Sequence, residues 1–445
     1  MGGRLRQFAN AWAGVTADQW VLNTVSCGYR LEFTSSPPLG LSLRITPTPR
    51  DQSKARTLRE EIEDLLAKDA IDRVADPSSL LFSSHFFLAP KKEGTWRPII
   101  NLRPLNRYIR PQRFRMDTLA LILSQLQPGR WATSLDLKDA YLHVPVHRDH
   151  RPWLGFIFEG QAYQFRSLPF GLSTAPRTFT RLTRVLEGFL RRMGISVFMY
   201  LDDWLILAPS RVQSLQDTST VLQRTRALGW VVNPAKSFLT PSQRVTFLGA
   251  EIDLAAGRAV PTRARTEAVQ AGITLLQSSP FLPARAWLVL LGYLASLVDL
   301  VPWCRLYMRP LQIHLLAHFR PYAHGLYHRI PRAPHLEGVF RWWSDLSNLE
   351  RGVTFPTPQP DLVLTTDASL TGWGATLGPA SLAHQWEPAV LQWHINALEL
   401  LAVLRALRGF TQSVAGRAVL VRTDNTTVVA HINRQGGRDP SAFGR

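Results

Sequence analysis

Residues 198–207 read FMYLDDWLIL, with two adjacent carboxylates, Asp202 and Asp203, set inside a run of strand-forming apolar side chains. The run predicts a β-hairpin whose turn is the acidic pair. Burying two carboxylates side by side costs several kcal/mol unless a partner compensates. A second apolar run, ATSLDLKDAY, also ends in an acid, Asp136. If the two runs are neighbours in one sheet, three carboxylates converge at its edge, and a pair of hard divalent cations is the partner that suits them. The plainer reading is an Asp-Asp turn capping a hairpin in water. From position 136 to 207, strand, helix and strand signals alternate without internal repetition, the pattern of a two-layer α+β domain. Its helix, within APRTFTRLTRVLEGFLRRMG, is started by Pro176 and stopped by Gly194.

The chemistry of the partner is narrowed by charge. The 445 residues carry 51 Lys plus Arg against 33 Asp plus Glu, a formal charge of +18. That balance points to a polyanion, with nucleic acid well ahead of an anionic membrane surface. Cys27 and Cys304 are too few and too far apart for a disulfide framework or a Cys-based zinc site. A reducing compartment, cytoplasm or nucleus, is the expectation. The start, MGGRLRQFANAW, has no apolar core of a secretory signal. The most apolar stretch, AWLVLLGYLASLV at 286–298, is shorter than the ~20 residues a spanning helix needs and reads as a buried core helix.

Pro/Ser/Thr-rich chemistry at 34–50 marks a boundary near Arg50, and FPTPQPD at 355–361 marks a second linker. Between them, residues 53–74 have helical periodicity, 83–106 suggest a hairpin with exposed basic side chains, VTFLGAEIDL reads as a closing strand, and 262–349 are mostly helical. A fresh α/β pattern begins after the second linker.

Six segments in order, KKEGTWRPIINLRPLN, SLDLKDAYLHVPV, SLPFGLSTAPRTF, FMYLDDWLIL, GWVVNPAKSFL and VTFLGAEID, together resemble the reverse transcriptase family over residues 55–252. These are the RNA-directed DNA polymerases of retroviruses and retrotransposons. The resemblance implies an α+β right-hand polymerase with an antiparallel palm sheet: an N-terminal extension at 1–55, fingers and palm at 56–254, and a helical thumb and connection at 255–356. It implies extension of a DNA primer on an RNA template from deoxynucleoside triphosphates. Asp136, the Leu137 carbonyl, Asp202 and Asp203 would hold two Mg²⁺ ions, Mn²⁺ being the alternative. Lys236 matches a family lysine that protonates the pyrophosphate leaving group. Arg97, with Lys91 or Lys92, sits where the family meets the triphosphate. Tyr141 falls at the steric gate against a 2′-hydroxyl, and Phe170 and Gly171 line the nucleotide site. Phe170 stands where retroviral enzymes usually carry glutamine, which moves the reading toward retrotransposons. Leu248 and Gly249 centre the hairpin that grips the primer. Arg263, Arg265, Arg305 and Arg309 of the thumb would follow the duplex backbone. Taken one at a time, each lysine reads equally well as solvated surface and Tyr141 as a core aromatic.

The blocks LTTDASLTGWGATLG, NALELLAVLRAL and VLVRTDNTTVV resemble a ribonuclease H domain, at 357–445. The match implies a second two-metal site on Asp367, Glu399 and Asp424, acting on RNA in RNA-DNA hybrids. The family's fourth acid has no match in a later helix; Asp439 lies in Gly/Pro-rich loop chemistry. The expectation is therefore a domain truncated at its C-terminus. GGRLRQFANAW, YLDDWLILA and RTDNTTVVAHINRQGG look most like the DIRS-type retrotransposons, with the chain ending before their tyrosine recombinase. No membrane role is expected, and the oligomeric state is open. The rival reading is a non-enzymatic nucleic-acid-binding remnant of a retroelement.

Overall fold

The computed structural model describes residues 1–38, 44–90, 96–332, 334–356 and 359–436. Lys91, Lys92 and Asp439 lie outside the described residues, and Arg97 is described through its backbone alone. The chain divides into two compact units, Met1–Thr118 with Gly129–Phe247, and Leu119–Pro128 with Leu248–Arg445.

The first unit is organised by an antiparallel sheet in the order Phe238–Ser242, Trp131–Asp136, Asp203–Ala208, Ser196–Tyr200. From Trp204 to Ala208 every residue is buried, so this strand reads as a continuous apolar run and not as an alternation. Helices Ala175–Arg192 and Arg211–Ala227 pack against the sheet. In the first of these, Phe179, Leu182, Leu186 and Leu190 recur at helical spacing and form one buried stripe. Pro176 occupies its first turn, and Gly194 follows its end in the left-handed region at φ 82°. A second sheet places Gly155–Phe158 and Gln161–Phe165 between Ile45–Thr46 and Ile71–Val74, and Phe86–Pro90 pairs with Trp96–Ile100 as a hairpin.

The stretch that composition set apart as an N-terminal extension is packed into this unit. Leu5, Trp12, Val21 and Val25 are fully buried in its core. The Trp12 indole N–H donates to the Leu228 carbonyl at 3.0 Å, and its ring meets Trp230 edge-on at 6.2 Å. Residues on either side of the Pro/Ser/Thr-rich stretch, Leu31 and Leu58 among them, belong to one core.

In the second unit, helices Arg263–Gln277, Ala284–Ala295, Cys304–His318 and Glu337–Ser344 enclose a core that includes Ile273, Trp287, Leu311 and Trp343. The helix expected to be buried all round is one-sided: Trp287, Leu290 and Leu294 point inward, whereas Leu288 and Val289 are 40% and 50% exposed. Composition hid this one-sidedness because the exposed face is apolar as well. VTFLGAEIDL is likewise not one strand. The backbone turns at Leu248 and Gly249, φ 48° and 73°, before Ala250–Asp253 pairs with Arg258–Pro261. Beyond residue 358 a sheet runs in the order Ala380–Gln385, Gly372–Leu377, Leu362–Ala368, Val419–Arg422, antiparallel except for the last, parallel pair. Helix Ile395–Gly409 packs on that sheet. Among the described residues, no helix is long and apolar enough to cross a membrane.

Candidate active sites

The expected convergence of acids in the first unit rests on register. Trp131–Asp136 and Asp203–Ala208 pair so that Asp136 lies directly opposite Asp203. Leu201 and Asp202 form the two-residue turn before it, with Leu201 at φ 52°, a conformation that costs a leucine on the order of 1 kcal/mol. The turn is held from both sides: the buried Trp204 indole donates to the Leu201 carbonyl at 2.9 Å, and the Leu137 N–H donates to the Asp202 carbonyl at 3.0 Å. Three carboxylates thus share one sheet edge. Asp203 keeps solvent access, yet partial burial first, then Asp202 and Asp136, push its pKa up to about 6 against the pull of Lys236. The Asp136 carboxyl is raised by burial and Asp202, while Lys236 and the Asn233 side chain draw it down. A site that resists holding its own negative charge has an oxygen-only donor set suited to hard divalent cations.

Lys236 is brought to this edge by a loop that the sequence did not single out as a clamp. The Asn233 N–H donates to the Asp136 carbonyl at 2.8 Å. The Ser237 hydroxyl accepts from the Asp136 N–H at 3.0 Å and donates to the Asn233 carbonyl at 2.7 Å. In the sequence Asn233 and Ser237 stand only as neighbours of Lys236 in NPAKSF, and nothing there marks either as holding the site.

Tyr141 sits on the short 3₁₀ turn Ala140–His143, half-buried, with its ring 4.9 Å from that of Phe170 and 5.4 Å from that of Phe179. Burial, then Asp202 and Tyr200, push its hydroxyl up to about 12, so it stays protonated beside the acids. Phe170 is 48% exposed. Gly171 follows at φ 97°, and a Cβ there would lie 3.0 Å from the Ile100 carbonyl. Asn106 fastens this turn, donating to the Gly171 carbonyl at 2.9 Å and accepting from the Ser173 N–H at 3.0 Å. No sequence signal marked Asn106. Leu248 and Gly249 lie at the start of the second unit, where Gly249 is packed under the Arg265 guanidinium, which occupies the space a Cβ would need. Arg265 also donates to the Ser296 carbonyl at 3.2 Å, and Arg263 pairs with Glu267 at 2.7 Å. Arg263 and Arg265 are thus engaged within the protein.

The second acidic cluster is tighter. Asp367 lies on the central strand Leu362–Ala368, Asp424 follows the strand Val419–Arg422, and Glu399 comes from helix Ile395–Gly409 between them in the chain. One carboxylate oxygen of each lies within 4.8 Å of the others, and among the described residues this is the trio gathered closely enough to hold a metal ion. Glu399 is buried at 4% exposure because its neighbours Leu398 and Ala402 face the sheet. Burial and the charges of Asp367 and Asp424 raise its carboxyl, against hydrogen bonds from the Ala368 backbone and the Thr423 side chain. Its Oε2 has no hydrogen-bond partner. An orphaned buried carboxylate oxygen facing two further carboxylates fits a divalent cation. Asn425, next to Asp424, caps helix Thr426–Asn433 and donates to the Asn396 side chain at 2.9 Å, tying that strand end to the helix of Glu399.

Comparisons with known proteins agree with this geometry. Residues 89–252 match the family described as reverse transcriptase (RNA-dependent DNA polymerase). Residues 357–439 match the RNase H-like domain found in reverse transcriptase. The chain is 29% identical over 212 residues to the Tf2-3 transposon polyprotein of Schizosaccharomyces pombe, covering 48% of this chain and 15% of that one. It is 27% identical over 284 residues to the Gag-Pol polyprotein of walleye dermal sarcoma virus, covering 63% and 15%. It thus spans about a seventh of the length of these relatives. Among solved structures, the foamy viral protease-reverse transcriptase in complex with RNA/DNA hybrid shares the fold at TM-score 0.60 and 17% identity, over 98% of this chain and 60% of that one. The same viral protein in complex with dsDNA matches at TM-score 0.58 and 17% identity, over 95% and 90%. Two stretches of the chain, 89–252 and 357–439, are thus similar to the reverse transcriptase family and to the RNase H-like domain found in reverse transcriptase.

Proposed function

We propose that the chain extends a DNA primer on an RNA template by nucleotidyl transfer, and that its C-terminal domain cleaves the RNA of the resulting RNA-DNA hybrid. The observation that carries the first activity is the register placing Asp136 opposite Asp203 with Asp202 at the adjoining turn. Asp136, the Leu137 carbonyl, Asp202 and Asp203 would hold two Mg²⁺ ions, or Mn²⁺ in their place, and Asp367, Glu399 and Asp424 a second set. Bound there, such ions supply positive charge that favours the attacking oxyanion and steadies the leaving oxygen. The chain's own groups do the rest. Lys236 offers a proton to departing pyrophosphate. Tyr141 supports the sugar and leaves no room for a 2′-hydroxyl, and Phe170 and Gly171 complete the floor. Arg97, Lys91 and Lys92 meet the triphosphate, and Leu248 and Gly249 hold the primer end. We assign fingers and palm to 56–254, thumb and connection to 255–356, and the RNase H-like domain to 357–445. Phe170 favours a retrotransposon, the segments GGRLRQFANAW, YLDDWLILA and RTDNTTVVAHINRQGG favour a DIRS-type element, and two cysteines, neither in a disulfide, favour the cytoplasm or nucleus.

The test is Mg²⁺-dependent extension of a DNA primer on an RNA template, with Asp202→Asn and Asp203→Asn alongside. Each substitution is expected to lower extension by more than about a hundredfold, since even changes to groups behind metal ligands cost 10–100-fold. A folded parent that binds the duplex without extending it would establish the non-enzymatic remnant instead.

A further inference from the structure

The 3₁₀ turn that carries Tyr141 ends on His143, a histidine with no solvent exposure and no part in the chemistry above. Both of its ring nitrogens are committed. The Val231 backbone N–H donates to Nε2 at 3.0 Å, so Nε2 is the unprotonated nitrogen, and Nδ1–H donates to the Ala140 carbonyl at 3.0 Å. The ring is therefore a neutral imidazole of one tautomer, and burial, which drives its pKa down to about 4, keeps it so.

Val231 opens the segment that reaches the acidic edge. Its carbonyl accepts from the Lys138 N–H at 2.9 Å, Val232 bridges Leu137, and the Asn233 N–H donates to the Asp136 carbonyl at 2.8 Å. Lys236 lies three residues further on. On its other side the His143 ring packs 5.3 Å from Trp230, which lies 5.2 Å from Phe179, itself 5.4 Å from Tyr141. One ring thus joins, by hydrogen bonds and by packing, the backbone that bears the gate tyrosine and the backbone that leads to the lysine.

We propose that His143 is a positioning residue for nucleotidyl transfer: as a neutral imidazole it pins the segment leading to Lys236 to the turn carrying Tyr141, so that the leaving-group lysine and the sugar gate are set in one register. The inference rests on the polymerase reading above. A bound acceptor at Nε2 is what the role requires. Glutamine, whose amide offers both an acceptor and a donor, can replace it; phenylalanine fills the same space and cannot accept the Val231 N–H.

Primer extension on an RNA template would be measured for the full chain, His143→Phe, His143→Gln, Lys236→Ala and the His143→Phe/Lys236→Ala double variant, with a thermal melt for each. The expected result for His143→Phe is a kcat lowered roughly ten- to hundredfold, as for small displacements of catalytic groups, with little change in KM. Its preference for deoxynucleoside over ribonucleoside triphosphates should fall as well. His143→Gln should recover most of both. In the double variant the His143 change should add little to the loss from Lys236→Ala, because both act through one loop. A folded His143→Phe with unchanged kcat and discrimination would overturn the proposal. So would losses that multiply in the double variant, or His143→Gln and His143→Phe being equally impaired or both unfolded, which would leave only a structural role. A parent that melts cooperatively but extends nothing would instead overturn the polymerase reading, and this inference with it.

Discussion

Glu187 lies on the helix Ala175–Arg192 at 6% exposure, 2.8 Å from Arg191. Burial first, then Asp117, push its carboxyl up to about 7 in spite of Arg191. With a folded pKa above the unfolded one, the native state binds more protons between pH 4.5 and 7, so stability falls as pH rises through that window. Glu187→Gln removes the penalty, and Arg191 keeps its bond to the Val197 carbonyl. Urea unfolding should show little difference from the parent at pH 5 and a gain of about 1–3 kcal/mol at pH 8. His143 has the opposite sign. Its pKa is lowered to about 4, so the unfolded state binds the proton first, and stability is lost as pH falls from 6.5 toward 4. His143→Gln should flatten that acid limb. Gly171→Ala places a side chain at φ 97° against the Ile100 carbonyl, and melts should show a loss of about 1–3 kcal/mol.

At the scale of elements, the palm site is a strand register held by a loop. Ser237→Ala removes the acceptor for the Asp136 N–H and the donor to Asn233 at once. Leaving those backbone groups without partners should cost about 1–3 kcal/mol of stability, and extension should fall by more than the melt explains, since Lys236 is the adjacent residue. Asn425→Ala tests the other domain. Losing both the helix cap and the bond to Asn396 should destabilise it by about 1–2 kcal/mol, and hybrid cleavage should decline while primer extension stays at the parent's rate.

For the whole molecule, the charge of +18 sets how binding answers to salt. Each phosphate neutralised by Lys or Arg releases counterions, so log affinity should fall linearly with log salt. Titration of an RNA-DNA hybrid between 50 and 200 mM salt should weaken binding by at least about tenfold, with 6–10 contacts corresponding to ~10³–10⁵. Not every basic residue contributes. Arg263 is paired with Glu267, and Arg265 is held by Gly249 and Ser296, so Arg265→Ala should alter stability more than the salt slope.

Local chemistry was enough to mark Asp136, Asp202 and Asp203 as strand-end acids, Glu399 as an odd acid in an apolar helix, and Gly194 as a helix stop, because each breaks a short-range pattern that composition makes visible. The alternating runs gave a two-layer α+β domain, and the antiparallel palm sheet was what the resemblance of the ordered segments implied. Tertiary structure alone decided the rest. That Asp136 faces Asp203, that Trp12 completes a core with Trp230, that Leu288 and Val289 lie outside, and that Asn106, Ser237 and His143 hold the site all depend on partners 60 or more positions away or on which face of an element is covered. Such residues have ordinary types at ordinary spacings. Their roles come from hydrogen bonds and burial that exist only when distant segments meet, and no local period encodes which segments those will be.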